Sequence, residues 1–121
     1  MKLYFYILDC YRKFIPETRT FEKPVFKIRV EECEVIEKPK TYRALTKFPE
    51  GLYIAYVSKE NIGKISDSLT EYIVLKEPNY QFVKDKFLKK YNSEMSRLKN
   101  SIAMYKDKIA AIENYKEGTK C

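Results

Sequence analysis

Between about residues 79 and 116 the chain contains neither proline nor glycine, and its large apolar residues fall at regular intervals. Leu88, Tyr91, Met95, Leu98, Ile102, Tyr105, Ile109 and Ile112 are alternately three and four positions apart. That spacing places all eight on one stripe of an α-helix, the pattern of a helix–helix seam. Asn79 suits the capping position at its start, because a short amide side chain can accept a backbone N–H of the first turn. About 36 helical residues at ~1.5 Å each span roughly 54 Å. A compact domain of this chain length is only roughly 35 Å across. Part of the stripe therefore needs cover from outside the preceding segment. The helix could break near Lys99–Asn100–Ser101 and fold back as a hairpin. The stripe keeps its phase through that point, which favours a second copy of the chain as the cover.

The residues before the helix alternate as strands do. In residues 2–8, Leu3, Phe5 and Ile7 share one face, and Tyr4, Tyr6 and Leu8 share the other. Residues 15–24 carry two prolines and read as a loop or edge segment. Residues 25–31 alternate with Phe26, Ile28 and Val30 inward and Lys27 and Arg29 outward. Cys33 and Val35 then fall out of phase, which predicts a bulge near Glu31–Glu32. Residues 37–50 hold two prolines and the basic, aromatic patch Lys38, Lys40, Tyr42 and Arg43. A turn at 48–53, a strand at 52–57, a turn around Gly63 and a strand at 69–75 complete the reading. The fold class is α+β: a small, mainly antiparallel sheet (residues 1–76), then a long C-terminal helix (about 79–116) that oligomerises. Residues 117–121 read as a frayed tail, and the whole as one domain.

Several kinds of chemistry have no residues to support them. The chain has no histidine, which removes histidine acid–base catalysis, Ser-His and Cys-His pairs and most zinc sites within one polypeptide. Its three glycines, Gly51, Gly63 and Gly118, are too far apart for a phosphate-cradling loop. Cys10, Cys33 and Cys121 are odd in number and widely spaced, so they suggest neither a metal site nor a disulfide framework. They read as two half-buried core residues and one terminal thiol in a reducing cytoplasm. No run is long and apolar enough for a membrane span, and MKLYFYILDCYRK reads as a strand, not a signal peptide. Catalytic residues and a bound metal are not expected.

The net charge is +7. From Lys76 onward eleven basic residues face six acidic ones, and Lys84, Lys86, Lys89 and Lys90 crowd together. Such a patch suits nucleotides or other phosphates, or is a solvated helix face. With only five arginines the chain is a poor candidate for duplex reading, so nucleic acid is not the expected partner. Phe82 is available to stack on a base, with lysines close behind it and a helix N-terminus beside it.

The segments PKTYR (39–43), FPEGLYIAYVSKENIGKI (48–65) and SLTEYIVLKEPNYQF (68–82) resemble small proteins encoded by phages of clostridia. The whole chain resembles the first described family of phage Thoeris anti-defence proteins. The resemblance implies a sponge that binds the cyclic ADP-ribose isomer of the Thoeris system and starves its effector without destroying the signal. It implies action in the cytoplasm of the infected bacterium, dimers that can assemble into hexamers, and in some members a second site for cyclic trinucleotides. The family's pocket uses a phenylalanine at the start of the long helix and an asparagine further along it; Phe82 and Asn92 match these. Arg43, Tyr42, Lys40 and Lys84 are further candidates from charge and aromatic placement.

Ten residues separate Phe82 and Asn92, roughly 15 Å along a helix and about 80° around it. A shared pocket would therefore take Phe82 from one protomer and Asn92 from its partner. Three other functions remain open: a small basic phage protein that binds nucleic acid or inhibits a nucleic-acid-directed host defence, a structural oligomer, and an enzyme using the Glu31, Glu32, Glu34 and Glu37 cluster.

Overall fold

Leu3, Phe5 and Ile7 are completely buried on one face of the first strand, β1 (Lys2–Tyr11). The chain continues as β2 (Phe14–Ile15), β3 (Thr20–Phe21), β4 (Val25–Glu37), β5 (Thr41–Ala44), β6 (Val57–Ser58), a 3-10 turn at Lys59–Asn61, β7 (Ile65–Asp67), β8 (Glu71–Leu75) and the helix α1 (Tyr80–Glu113). This computed structural model describes residues 1–67 and 69–115, the Asp67 side chain excepted. Six strands form one sheet in the order β6-β5-β4-β1-β8-β7, and every pairing is antiparallel. The α+β class is therefore correct. The chain divides into two compact units, Met1–Lys84 and a second that begins at Asp85. The tail expected at 117–121 lies outside the described residues.

The centre of the sheet is the β1–β4 ladder. It runs from Lys2↔Glu34 to Tyr11↔Val25 with no skipped residue. The bulge expected near Glu31–Glu32 is therefore absent, and the inward face assigned to β4 is wrong. Directly paired residues point to the same side. Arg29, opposite Ile7, and Cys33, opposite Leu3, thus share the buried face, while Phe26, Ile28 and Val30 lie on the other. Phe26 and Val30 are exposed there.

A charged residue on the core side is tolerated because its donors are used. Arg29 Nε donates to Asp9 Oδ2 at 2.6 Å, one terminal nitrogen donates to Glu31, and the other donates to the Glu50 carbonyl at 2.9 Å. Those carboxylates hold the guanidinium pKa above its usual value, the Asp9 hydrogen bond contributing most.

The core face of the sheet is covered by the loop between β5 and β6. Phe48 packs edge-on to Phe5 with ring centroids 5.9 Å apart, and Leu52 is buried. The Cys33 thiol donates to the Lys47 carbonyl at 3.4 Å. The strand expected over residues 52–57 is reduced to Val57–Ser58. Gly51 and Tyr53 both have positive φ, at 89° and 51°, and so turn the chain where a strand would run straight. Residues 15–24, expected as a loop or edge segment, contribute to the short β2–β3 pairing Phe14↔Phe21 and Ile15↔Thr20. Of the two cysteines expected to be half-buried, Cys33 is buried and Cys10 is exposed, because β8 does not flank β1 beyond Leu8.

On the opposite face, Tyr6 and Ile73 are buried. The Tyr6 hydroxyl accepts the Asn79 backbone N–H at 3.0 Å, and Asn79 Oδ1 accepts the Phe82 N–H at 3.1 Å. Asn79 is thus the helix cap, as its position predicted. α1 passes through Lys99–Ser101 without a break. In the second unit every seam residue except Tyr91 is exposed, from Leu88 at 49% to Ile112 at 74%.

Replacing Arg29 by methionine keeps the aliphatic stem and leaves Asp9 and Glu31 without their cation. The expected loss is about 2–3 kcal/mol of stability, read from urea unfolding. An unchanged midpoint would mean that the cluster is not what holds the 45–56 loop to the sheet.

Candidate functional site

Phe82 and Asn79 line a hollow of about 380 Å³ with Leu75, Lys76, Glu77 and Pro78. The hollow is shallow and opens broadly to solvent, so on one chain it covers only one side of a ligand. The local sequence explains the arrangement. β8 ends at Leu75, Pro78 lacks an N–H and excludes helix before it, and Asn79 then starts α1. Phe82 sits in the first helical turn, half-buried. One edge of its ring lies over Gly63, where an added Cβ would stand 3.5 Å from Phe82 Cζ. Gly63 is held at φ 80°, and its N–H donates to the Val74 carbonyl at 2.9 Å. The ring is therefore braced from below by backbone of the β6–β7 connection.

Lys76 brings a cation to this hollow and Glu77 an anion. Lys84 is exposed two residues beyond Phe82. The amides at the helix start are only partly available to a phosphate. The Asn79 N–H is taken by Tyr6 and the Phe82 N–H by the Asn79 side chain.

The other candidates lie elsewhere in the first unit, except Asn92. Lys40 lines a separate hollow of about 460 Å³ with Pro39, Ser58, Lys59 and Glu60. Arg43 is exposed and stands over the Tyr56 ring at 5.4 Å. Tyr42 is fully buried in the core cluster, so its ring offers no surface for stacking. Its hydroxyl has no hydrogen-bond partner among the described residues, and the Lys59 ammonium lies 5.4 Å from its ring centroid. Lys59 is also ion-paired with Glu37 at 3.1 Å. Asn92 is an exposed residue of α1 in the second unit.

Sequence reading missed a third hollow, of about 420 Å³, whose polar lining includes Tyr56, Ser58, Glu60, Asn61, Ser66 and Tyr72. Burial pushes the Tyr72 hydroxyl pKa up, and a hydrogen bond with its cross-strand partner Ser66 partly offsets that. The only signal for this hollow is long-range pairing, which no local motif carries. Among the described residues, no three His, Cys, Asp or Glu side chains are grouped to hold a metal ion, and no helix is long and apolar enough to cross a membrane.

The chain matches no known family model, no characterised protein and no solved structure.

Two substitutions test the bracing of Phe82. Asn79→Ala removes the cap and should cost about 1 kcal/mol. Gly63→Ala forces a Cβ onto a positive φ and should cost about 1 kcal/mol. Unfolding midpoints unchanged in both would mean that the hollow is not held by these two residues.

Proposed function

We propose that this protein is a non-catalytic binder that sequesters a small cyclic nucleotide, an isomer of cyclic ADP-ribose, and so blocks a Thoeris-type effector in the infected bacterial cytoplasm. The observation that carries the reading is the Phe82 hollow. A braced, half-exposed aromatic ring stands beside an amide and an ammonium in a space of about 380 Å³. The ring supplies a stacking surface for adenine. Lys76, and Lys84 nearby, supply positive charge for a pyrophosphate. Among the described residues that line the hollow, none is arranged as a nucleophile with its base, and retention of the ligand is the chemistry these groups favour.

Asn92 joins the pocket from a second copy of the chain. The seam from Leu88 to Ile112 is exposed in the single chain, and large contiguous apolar surface of this kind marks an interface. Two-fold association would give two equivalent pockets, and hexamers would be assemblies of such dimers. No position is assigned for a cyclic trinucleotide.

Sequestration has a direct test. The protein is incubated with a cyclic ADP-ribose isomer, recovered by size exclusion and heated, and the released small molecule is analysed. Intact ligand is expected; an altered product would make the protein an enzyme. Phe82→Ala and Asn92→Trp should each abolish retention while leaving assembly intact, the first by removing the stacking face and the second by filling the pocket.

Association is tested separately. Leu98→Asp with Ile102→Asp places charges in an apolar contact, and light scattering should then report a folded monomer. A variant of unchanged size would place the seam outside the interface.

A further inference from the structure

We propose that the two-stranded ribbon between β1 and β4 is an arm that binds single-stranded nucleic acid. β8 pairs with β1 only as far as Leu8↔Glu71, and β5 meets β4 only from Val35. Among the described residues, the stretch from Asp9↔Lys27 through Tyr11↔Val25 to the β2–β3 pair therefore has no third strand. A lone two-stranded ribbon is marginal in water, so a long one with apolar flanks implies a partner.

From Cys10 to Lys27 every residue except Ile15 and Pro24 is exposed. Tyr11, Phe14, Phe21, Val25 and Phe26 are each roughly half exposed or more, 48–61%. The Phe14 and Phe21 rings meet each other at 5.3 Å and 59°, which fixes both while leaving their outer surfaces open.

Charge decides which partner fits. The ribbon from Asp9 to Lys27 holds five cations, Arg12, Lys13, Arg19, Lys23 and Lys27, against three carboxylates, of which Asp9 is already paired with Arg29. None of the five is ion-paired to a described residue, in contrast to Arg29 a few residues away. Unpaired cations interleaved with open aromatic rings match a polyanion with π-faces, which is single-stranded nucleic acid. A lipid surface fits less well: the apex, Pro16–Arg19, is polar and carries Glu17, and the rings lie on the flanks. This inference is independent of the Phe82 hollow.

The test uses the full chain and a fluorescein-labelled 15-nucleotide oligo-dT, read by anisotropy at 50 and 200 mM salt. Contacts with three to five phosphates should weaken binding roughly 20- to 130-fold over that range, at ~0.7 per phosphate on the logarithmic scale. One variant replaces residues 12–24 with Asn-Gly, because Tyr11 and Val25 are directly paired and a two-residue turn can close them. It should keep its circular dichroism spectrum and lose at least tenfold in affinity. Phe14→Ser with Phe21→Ser should lose affinity while keeping the salt slope, and this variant decides if the shortened chain does not fold. Full affinity in these variants would overturn the proposal, because the helix lysines would then carry the binding. So would wild-type protein that ignores oligo-dT, whether it binds anionic phosphatidylglycerol vesicles instead or uses the ribbon only to self-associate.

Discussion

Ten consecutive antiparallel pairs between β1 and β4 set the position of everything else in the first unit. Because no residue is skipped, the face of every side chain on both strands follows from a single register. That register aligns Leu3, Phe5 and Ile7 with Cys33 and Val35 in one core, each large side chain contributing about 2 kcal/mol by burial. It also sends Arg29 to the core side, where Asp9, Glu31 and the Glu50 carbonyl use its donors and tie the 45–56 loop across the sheet. A slip of one residue would strand that guanidinium among solvent-facing rings and turn the apolar set outward.

The same strand positions the hollow from its other face. Tyr6 points away from the core cluster and meets the Asn79 amide, and Asn79 in turn caps the helix that carries Phe82. A contact 73 residues apart in sequence thus sets where α1 begins, and Gly63 supports the ring that results. Rigid support of this kind suits a binder, because a ring fixed before the ligand arrives loses little freedom when it stacks.

The helix could be read from sequence because Asn79, the absence of proline and glycine, and the seam all point the same way. The faces of β1 were also legible, since Leu3, Phe5 and Ile7 alternate over a run with no charge until Asp9. β4 was misread because local alternation treats Arg29 as outward, whereas its partners Asp9 and Glu50 lie about 20 residues away in either direction. LYIAYV looked like a strand by composition, but positive φ at Gly51 and Tyr53 is a backbone property that apolar content does not report. Phe82 was legible as a candidate. Its brace, Gly63, was not, and neither was the burial of Tyr42, which depends on strand order.

The central proposal is that the hollow at the start of α1 holds a ligand without altering it. A titration of isotopically labelled protein with a cyclic ADP-ribose isomer, followed by NMR, tests it most directly. The expected result is shifts concentrated at Gly63, at residues 75–84 and at Asn92, with ligand resonances that reappear unchanged on release. Shifts centred on Lys40, Arg43 or the β1–β4 ribbon, with residues 75–84 silent, or the growth of product resonances, would contradict it.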